Sequence, residues 1–338
     1  MKLSIVIPCR NEVNYIEECI GAIYQNELPE DAKLSIYVVD GMSDDGTREL
    51  LITLKEKYSS LELVDNVKQL TPYAFNLGIY AGGEVDFVQI IGARHIVSQT
   101  YIKEAVEILE KDKSVWCVGG NIINEYINDI GEVISKAMGT TFGMGLGNFR
   151  TLKESGFTDT VTSPMYPYSV FDNIGFFDEE LVRNQDDDFN YRVTEAGGKI
   201  FFNKDVSLKY YVRGTYSGLW RQFYQYGYWK VYVNKKHQTV TTYRQLVPPL
   251  FVIYLGLILL TSIFGLKTFI ISSIPFVSYL GMNLLFSLKA AKSIVEFPQI
   301  VLTYFILHIS YGLGYLRGFL DFIALNKRPG NNQKRLSR

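Results

Sequence analysis

The chain has 338 residues, which is enough for one large domain or two medium ones. Its 34 Lys and Arg residues balance 35 Asp and Glu residues, so no global positive field points to a nucleic-acid-binding protein. The three cysteines, Cys9, Cys19 and Cys117, lack the spacing of a metal site or a disulfide framework, which favours a reducing compartment. Met1 is followed directly by a predicted strand, without the apolar region and cleavage site of a secretory signal.

Two short apolar runs near the amino terminus each end in acidic and turn-forming residues. Residues 3–8 run into the sequence CRNE, and residues 36–40 run into GMSDDGT. Continuous apolar runs are typical of strands buried on both faces, and each run leads into a helical stretch, so the segment predicts a βαβ unit. Because ligands bind at the carboxyl ends of such parallel strands, we expect Asp40 and the turn 44–47 to lie at a nucleotide site.

The two strand ends taken together, SIVIPCRNE and VVDGMSDDGT, resemble the opening of the family 2 glycosyltransferases. The resemblance extends to about residue 236 and is strongest for the succinoglycan-type, membrane-bound branch that builds exopolysaccharides. It implies an α/β fold in residues 1–236: a GT-A nucleotide-sugar-binding domain with a mixed, mostly parallel sheet flanked by helices.

The same resemblance assigns roles to residues at the first two strand ends. It implies that the base pocket is lined by Pro8, Arg10 and Glu12. Asp40 is then expected to contact the base or the ribose, and Asp45 is expected to cap the adjacent turn.

The next predicted strand, residues 85–91, ends in Gly92-Ala93-Arg94-His95. The family usually has an Asp-x-Asp or Asp-x-His at this strand end, and these carboxylates hold a divalent cation on the donor diphosphate. Aligned on the strand, the first Asp falls on Gly92 and the last position on Arg94, so the usual carboxylates are missing.

Three interpretations of this departure are open. Arg94 neutralises the diphosphate directly, since a guanidinium suits phosphate oxygens. Alternatively, Mg²⁺ or Mn²⁺ still binds through substrate phosphates, His95 and water. In the third interpretation the chain is a catalytically impaired binding or scaffold subunit. The first is preferred, because transfer needs positive charge at the leaving diphosphate and Arg94 supplies it.

The segment NQDDDFNYR, residues 184–192, resembles the family pattern that contains the catalytic base. Mapped by position, Asp186 falls on the general base, Gln185 replaces the preceding Glu, and Asp188 falls on the second acidic position. Inverting transfer needs a carboxylate that takes the proton of the acceptor hydroxyl. A run of Asp also suits the macrodipole at a helix N-terminus, and both interpretations can hold at once. We predict Asp186 and Asp188 as the catalytic carboxylates, with Asp186 as the base.

An aromatic segment, LWRQFYQYGYWK from residue 219, resembles the family's Gln-rich motif that lies near the membrane and closes over acceptor and diphosphate. Within this interfacial motif, residues 213–236, the predicted substrate contacts are Arg221, Gln222 and Trp229. An amphipathic interfacial helix is the alternative, and the two interpretations are compatible.

The composition changes near residue 245, where a predicted membrane region, residues 245–322, begins. Residues 246–265 and 268–288 are apolar runs of about the 20 residues that a helix needs to cross a bilayer. A third apolar segment, residues 298–320, contains His308 and Arg317. A buried hairpin of a soluble protein is the alternative, although soluble cores rarely need two consecutive uncharged runs of this length.

Basic residues predict the orientation of this region. Lys235 and Lys236 precede the first apolar run, Lys289 and Lys292 follow the second, and more basic residues lie in the polar tail, residues 326–338. An even number of crossings places all of these clusters in the cytoplasm. We therefore predict two spans with the third segment in the interface or re-entrant, three full spans being the alternative, and a cytoplasmic catalytic domain at the inner membrane.

The resemblance implies a membrane-bound inverting glycosyltransferase of surface polysaccharide biosynthesis. It would move one sugar from a nucleotide-sugar donor, most often a UDP-sugar in this family, to a lipid-linked glycan acceptor. The competing hypothesis is the impaired scaffold subunit, which the missing carboxylates favour and the retained Asp186 and Asp188 oppose.

Overall fold

The computed structural model describes residues 1–126, 128–145, 149–212 and 214–329. The chain divides into two compact units, the first formed by Met1–Glu125 and Leu152–Tyr211 and the second by Tyr126–Thr151 and Val212–Arg338. This division cuts through the predicted domain 1–236, because the helices at its end and in the 126–151 segment pack with the carboxyl-terminal helices.

The described strands form one mixed sheet. They are β1 (Lys2–Cys9), β2 (Lys33–Asp40), β3 (Leu61–Asp65), β4 (Phe87–Ile90), β5 (His95–Val97), β6 (Val115–Tyr126), β7 (Gly156–Thr158), β8 (Thr162–Pro167) and β9 (Lys199–Val212). Their order is β3-β2-β1-β4-β8-β6-β9-β5, and β7 pairs with β9. Strands β3, β2, β1 and β4 are parallel, whereas β8 runs antiparallel to β4. The carboxyl ends of β1, β2 and β4 and the start of β8 therefore meet at one edge of the sheet.

Helices flank this sheet and form the second unit. The α-helices are α1 (Ile16–Tyr24), α2 (Thr47–Lys57), α3 (Thr71–Gly82), α4 (Tyr101–Lys111), α5 (Asp129–Met138), α6 (Thr141–Met144), α7 (Ser169–Ile174), α8 (Gln185–Glu195), α9 (Tyr216–His237), α10 (Val247–Thr261), α11 (Leu266–Ala290) and α12 (Glu296–Gly318). Short 3₁₀ turns cover Phe149–Thr151, Tyr243–Leu246 and Ser262–Phe264, and a π-helical turn, Phe319–Ala324, follows α12. The predicted α/β class, with a mixed and mostly parallel amino-terminal sheet, is confirmed.

The core of the first unit lies between the sheet and helices α1 and α4. Its fully buried members include Ile5 and Ile7 of β1, Ile20 of α1 and Ile102 of α4. The apolar run of β1 is buried on both faces, as a parallel strand in the middle of a sheet must be. This packing fixes the ends of β1 and β4, from which the candidate site is built.

A buried amide joins α3 to the segment that follows α7. The Asn76 side chain donates from Nδ2 to the Phe177 carbonyl at 2.9 Å and accepts the Phe177 N–H at 3.0 Å. Nδ2 also donates to Glu179 Oε1 at 3.0 Å. The contact bridges 101 residues of sequence and ties the parallel half of the sheet to the chain leading into α8.

In the second unit, α9 and α12 pack at very short range. A β carbon on Gly314 would overlap the Tyr224 carbonyl, and one on Gly227 would overlap the Tyr311 carbonyl. Glycines at such positions let two helix backbones approach closely, as they do in membrane helix pairs. The predicted interfacial motif is thus a long helix packed against the third apolar segment.

Two helices are long and apolar enough to cross a membrane by length and composition, Leu266–Ala290 and Glu296–Ala324, among the described residues. The second predicted span, 268–288, falls in the first of these, and the third apolar segment, 298–320, falls in the second. The first predicted span, 246–265, contains the shorter α10 and ends at Gly265, where φ is +100°. Arg213 and residues 330–338 of the predicted tail lie outside the described residues.

Candidate active site

The loops that follow β1 and β2 hydrogen-bond to each other. Asn11 Nδ2 donates to Asp44 Oδ1 at 2.8 Å, and the Asp44 N–H donates to Asn11 Oδ1 at 3.1 Å. The Glu12 N–H donates to Thr47 Oγ1 at 2.9 Å. Asn11 and Met42 have φ values of 56° and 58°, in the left-handed region that non-glycine residues rarely adopt. Both loops are therefore held in one conformation at the sheet edge where ligands bind in parallel α/β folds.

Asp45 closes the turn before α2. Its Oδ1 accepts the Thr47 N–H at 3.0 Å and the Thr47 hydroxyl at 2.5 Å, and its Oδ2 accepts the Val13 N–H at 3.4 Å. Desolvation alone would raise the pKa of the Asp45 carboxyl, but these hydrogen bonds outweigh it and lower this pKa below its usual range. Asp45 is thus ionised at neutral pH and joins the two loops.

Asp40, the last residue of β2, is buried and fully engaged by its own loop. The Ser43 hydroxyl donates to Asp40 Oδ1 at 2.5 Å, and Arg48 Nη1 lies 3.4 Å from Asp40 Oδ2. The same Nη1 lies 2.5 Å from Asp65 Oδ1, so Arg48 bridges the ends of β2 and β3. Arg48 was not predicted from the sequence, although a buried carboxylate at a strand end requires a cationic or hydrogen-bonding partner.

The remaining base-pocket residues of the sequence prediction lie at the end of β1. Pro8 pairs with Val39 in the parallel ladder. The Arg10 side chain lies against Gly41, where an added β carbon would come within 3.2 Å of Arg10 Cβ. Both residues are half-buried beside the Asp40 loop.

Arg94, in the turn after β4, is held by two residues of the segment between β1 and α1. Its Nε donates to Glu12 Oε2 at 2.6 Å, and Glu12 is only 4% exposed. The guanidinium carbon lies 4.8 Å from the centre of the Tyr15 ring, in a cation–π contact. Arg94 itself keeps 27% of its side chain exposed. The structure therefore brings the predicted residues Glu12 and Arg94 together as an ion pair in which the Arg94 side chain stays partly exposed.

His95 is fixed between Gly92 and Ser163. Its Nδ1 lies 2.7 Å from Ser163 Oγ and accepts the Gly92 N–H at 3.3 Å. The ring also makes an edge contact with Tyr210, at 5.3 Å between ring centres. Ser163 is buried with φ +43°, and the sequence analysis missed it because its contact with His95 crosses 68 residues.

The two predicted catalytic carboxylates differ sharply in environment. Asp186 is exposed in the first turn of α8. Asp188 is 0% exposed, and its Oδ2 accepts from Arg192 Nε at 3.1 Å. Arg192 also donates to the carbonyls of Ile174 and Phe176, at 2.5 and 2.8 Å. The buried pair therefore anchors the start of α8, and Asp186 is the carboxylate presented to solvent.

Neighbouring contacts locate α8 relative to the sheet. Asn190, one turn after Asp186, donates from Nδ2 to Thr160 Oγ1 at 3.0 Å. Thr160 precedes β8, whose start lies at the edge where β4 ends. Burial raises the pKa of Tyr166 of β8, and the Cys117 thiol and then the Asp186 carboxylate add to the rise. The contact of Asn190 with Thr160 therefore joins α8 to the segment that leads into β8.

The residues predicted from the aromatic motif belong to α9 in the second unit. Arg221 is exposed, and Gln222 Nε2 donates to Tyr226 Oη at 2.8 Å. Trp229 is buried and packs within 6.0 Å of Phe322, measured between ring centres. Arg221 thus remains accessible to a ligand, whereas Trp229 would need α9 or the π-helical turn to move.

Comparisons with known proteins agree with this architecture. A protein of Methanococcus voltae named dolichyl N-acetyl-alpha-D-glucosaminyl phosphate 3-beta-D-2,3-diacetamido-2,3-dideoxy-beta-D-glucuronosyltransferase is 29% identical over 231 residues, which is 67% of this chain and 71% of that protein. The succinoglycan biosynthesis protein ExoA of Rhizobium meliloti (strain 1021) is 26% identical over 250 residues, or 72% and 73% of the two chains.

A solved structure shows the same fold at low identity. The mannosyltransferase PcManGT from Pyrobaculum calidifontis, solved in complex with GDP-Man and Mn²⁺, matches 93% of this chain and 86% of its own, with a TM-score of 0.61 and 18% identity. This likeness establishes the GT-A-like α/β fold.

The sequence profile described as glycosyl transferase family 2 matches residues 4–175, just over half of the chain and nearly all of the strands at the candidate site. The chain therefore belongs to glycosyl transferase family 2 and is a sugar-transferring enzyme.

Proposed function

We propose that this enzyme moves one sugar, with inversion, from a nucleotide-sugar donor to a lipid-linked glycan acceptor in surface polysaccharide biosynthesis. The observation that carries the mechanism is the exposed Asp186, held on a helix end that the buried Asp188–Arg192 pair anchors. A UDP-sugar is the first donor to test, since the family uses uridine donors most often. The named relatives from Methanococcus voltae and Rhizobium meliloti support a dolichyl-phosphate-linked or similar lipid acceptor and a polysaccharide product.

In the proposed step, the acceptor hydroxyl oxygen attacks the anomeric carbon of the donor. The bond from that carbon to the nucleotide diphosphate breaks, and its electron pair leaves with the diphosphate. The Asp186 carboxylate takes the acceptor proton, for which it must be ionised and within hydrogen-bond reach of the hydroxyl. Its negative charge also favours the oxocarbenium-like transition state.

We further propose that the second unit attaches the enzyme to a membrane. Most of α11 is exposed although its residues are apolar, including Ile270, Ile274 and Val277, each more than half exposed. So large an apolar surface is unfavourable in water and suited to lipid. Attachment at the cytoplasmic surface of the inner membrane would bring the enzyme to acceptors whose lipid chains cannot leave the bilayer.

The test uses the full-length chain in lipid nanodiscs with a panel of UDP- and GDP-sugars and a lipid-linked acceptor. Transfer should release nucleotide diphosphate and form a glycolipid with inverted anomeric configuration, read by nuclear magnetic resonance. Asp186→Asn should lower kcat about 100-fold or more, the usual contribution of a positioned base. Asp187→Asn, at the next position, is the matched control and should keep the parent turnover.

Each part of the proposal can fail separately. Parent turnover in Asp186→Asn would reject the base assignment. Retention of configuration would reject the inverting mechanism, and donor binding without transfer to any lipid-linked acceptor would reject the proposed acceptor class.

A further inference from the structure

The fold family implies a divalent cation at the end of β4, and the residues at this point do not fit one. No group of three or more His, Cys, Asp or Glu side chains arranged to hold a metal ion occurs in the part of the chain that the structure describes. Gly92 has no side chain, and Ala93 is buried and apolar. Carboxylate or carbonyl oxygens are the ligands that Mg²⁺ and Mn²⁺ prefer.

The side chain of the first carboxylate residue would start from Gly92, and the packing around Gly92 does not leave room for it. A β carbon on Gly92 would lie 3.0 Å from His95 Cε1 and 3.2 Å from both ring nitrogens. The ring is kept there by Ser163 Oγ, 2.7 Å from Nδ1. Because the Gly92 N–H also points at Nδ1, this nitrogen acts as an acceptor within the turn and is not directed at a ligand.

The cationic side chain of Arg94 lies at this strand end instead. The contact of Arg94 with Glu12 is made through Nε, and the ring of Tyr15 supports one face of the guanidinium. Because Glu12 binds Nε, the two Nη groups at the end of the planar guanidinium are left for an anion. Their spacing matches two oxygens of a phosphate. Glu12 is nearly fully buried, so the pair is held tightly and the guanidinium is already oriented.

We propose, on the basis of the function given above, that the donor diphosphate is held by Arg94 and that the enzyme needs no divalent cation. The two Nη groups bind non-bridging phosphate oxygens in the ground state. When the anomeric carbon–oxygen bond breaks, its electron pair adds negative charge to the diphosphate, and the guanidinium stabilises this charge. Glu12 and Tyr15 act in this step as positioning residues, because they orient Arg94 through its Nε and one face of its guanidinium.

The experiment measures the binding of UDP, the probe, to the full-length chain in nanodiscs by calorimetry, in EDTA and in Mn²⁺. The dissociation constant should be the same in both. Arg94→Ala should weaken UDP binding about 10- to 100-fold, as the loss of one charge-assisted contact predicts. Arg94→Lys should fall between parent and Arg94→Ala, because an ammonium keeps the charge but loses the bidentate fork.

Two further variants keep the result interpretable. Arg94→Ala alone removes the ion-pair partner of the buried Glu12 carboxylate, so the double variant Arg94→Ala with Glu12→Gln removes both charges of this pair and should show the same loss of UDP binding. Lys103→Ala breaks a surface pair with Glu27, at 3.3 Å, and should leave UDP binding unchanged.

The outcomes separate this inference from the proposed function. UDP binding or turnover that requires Mn²⁺ or Mg²⁺ overturns it, and so does EDTA-insensitive binding that survives in both Arg94→Ala variants. A failure to transfer sugar, together with EDTA-insensitive and Arg94-dependent UDP binding, would reject the proposed acceptor chemistry and leave the cation-free diphosphate site standing.

Discussion

Asp186 and Asp188 are two positions apart on α8, yet one faces solvent and the other is completely buried against Arg192. The sequence predicted Asp186 as the base from its place in the motif, but it could not predict that Asp188 is buried, because burial depends on where α8 packs. One signal was available, since Arg192 follows Asp188 by four positions, the spacing at which helical side chains meet. In the proposed mechanism, the buried pair supports the helix end that carries Asp186.

This difference predicts opposite effects of two conservative substitutions. Asp188→Asn should destabilise the first unit by about 3 kcal/mol or more, because it leaves Arg192 without its buried counter-charge. Asp186→Asn should change stability by no more than about 0.5 kcal/mol, as expected of an exposed residue. Thermal unfolding of both variants in the same detergent provides the measurement, and equal losses of stability would contradict the assignment of Asp188 as the structural member.

At the scale of elements, the end of β4 shows why the site was only partly predictable. The sequence placed Arg94 and His95 after this strand and showed that the family's usual carboxylates are missing there. It could not reveal that Glu12 pairs with Arg94, or that Ser163 holds His95 over Gly92, because these contacts cross 82 and 68 residues. Only the tertiary contacts of an arginine show whether its guanidinium can take the place of a metal cation.

Hydropathy could likewise not predict the packing of α9 on α12, because this packing depends on the positions of glycines along the two helices. Gly314→Ala should force the helices apart and destabilise the second unit by about 1–3 kcal/mol, the usual cost of overpacking. Gly281→Ala, on α11, is the control, since nothing described lies within 4 Å of an added β carbon there. It should be neutral or slightly stabilising through helix propensity. Thermal unfolding midpoints measure both, and equal midpoints would argue against close backbone contact at Gly314.

For the whole molecule, the composition change near residue 245 predicted a membrane region, and two helices in the described part of it are long and apolar enough to cross a bilayer. The ends of the helices differ from the ends of the predicted apolar runs. In the first apolar run, α10 ends at Thr261 and a 3₁₀ turn leads to Gly265, and α12 continues into Ala324 through a π-helical turn. The sequence also placed residues 126–151 in the nucleotide domain, although α5 packs with α12 through Lys136, which lies 2.7 Å from Glu296.

The predicted topology can be tested with single added cysteines. The native thiols Cys9, Cys19 and Cys117 are buried, and burial raises the pKa of Cys19 to about 12, so they should react slowly with maleimides. Phe264→Cys and Ile294→Cys lie at opposite ends of α11, at 76% and 88% exposed positions. An impermeant maleimide should label them from opposite faces of the membrane, Ile294→Cys from the cytoplasm. Labelling of both from one face would show that α11 does not cross.

The placement of β8 beside β4 has a consequence for the order in which the enzyme is assembled. The four parallel strands β1 to β4 all lie within the first 90 residues, so they are synthesised before β8, Thr162–Pro167, which pairs with the other side of β4. The contact of Asn76 with Phe177 likewise waits for a segment that is made 101 residues later. The nucleotide loops thus form on an incomplete sheet, and the edge of β4 stays open to wrong partners until β8 is synthesised.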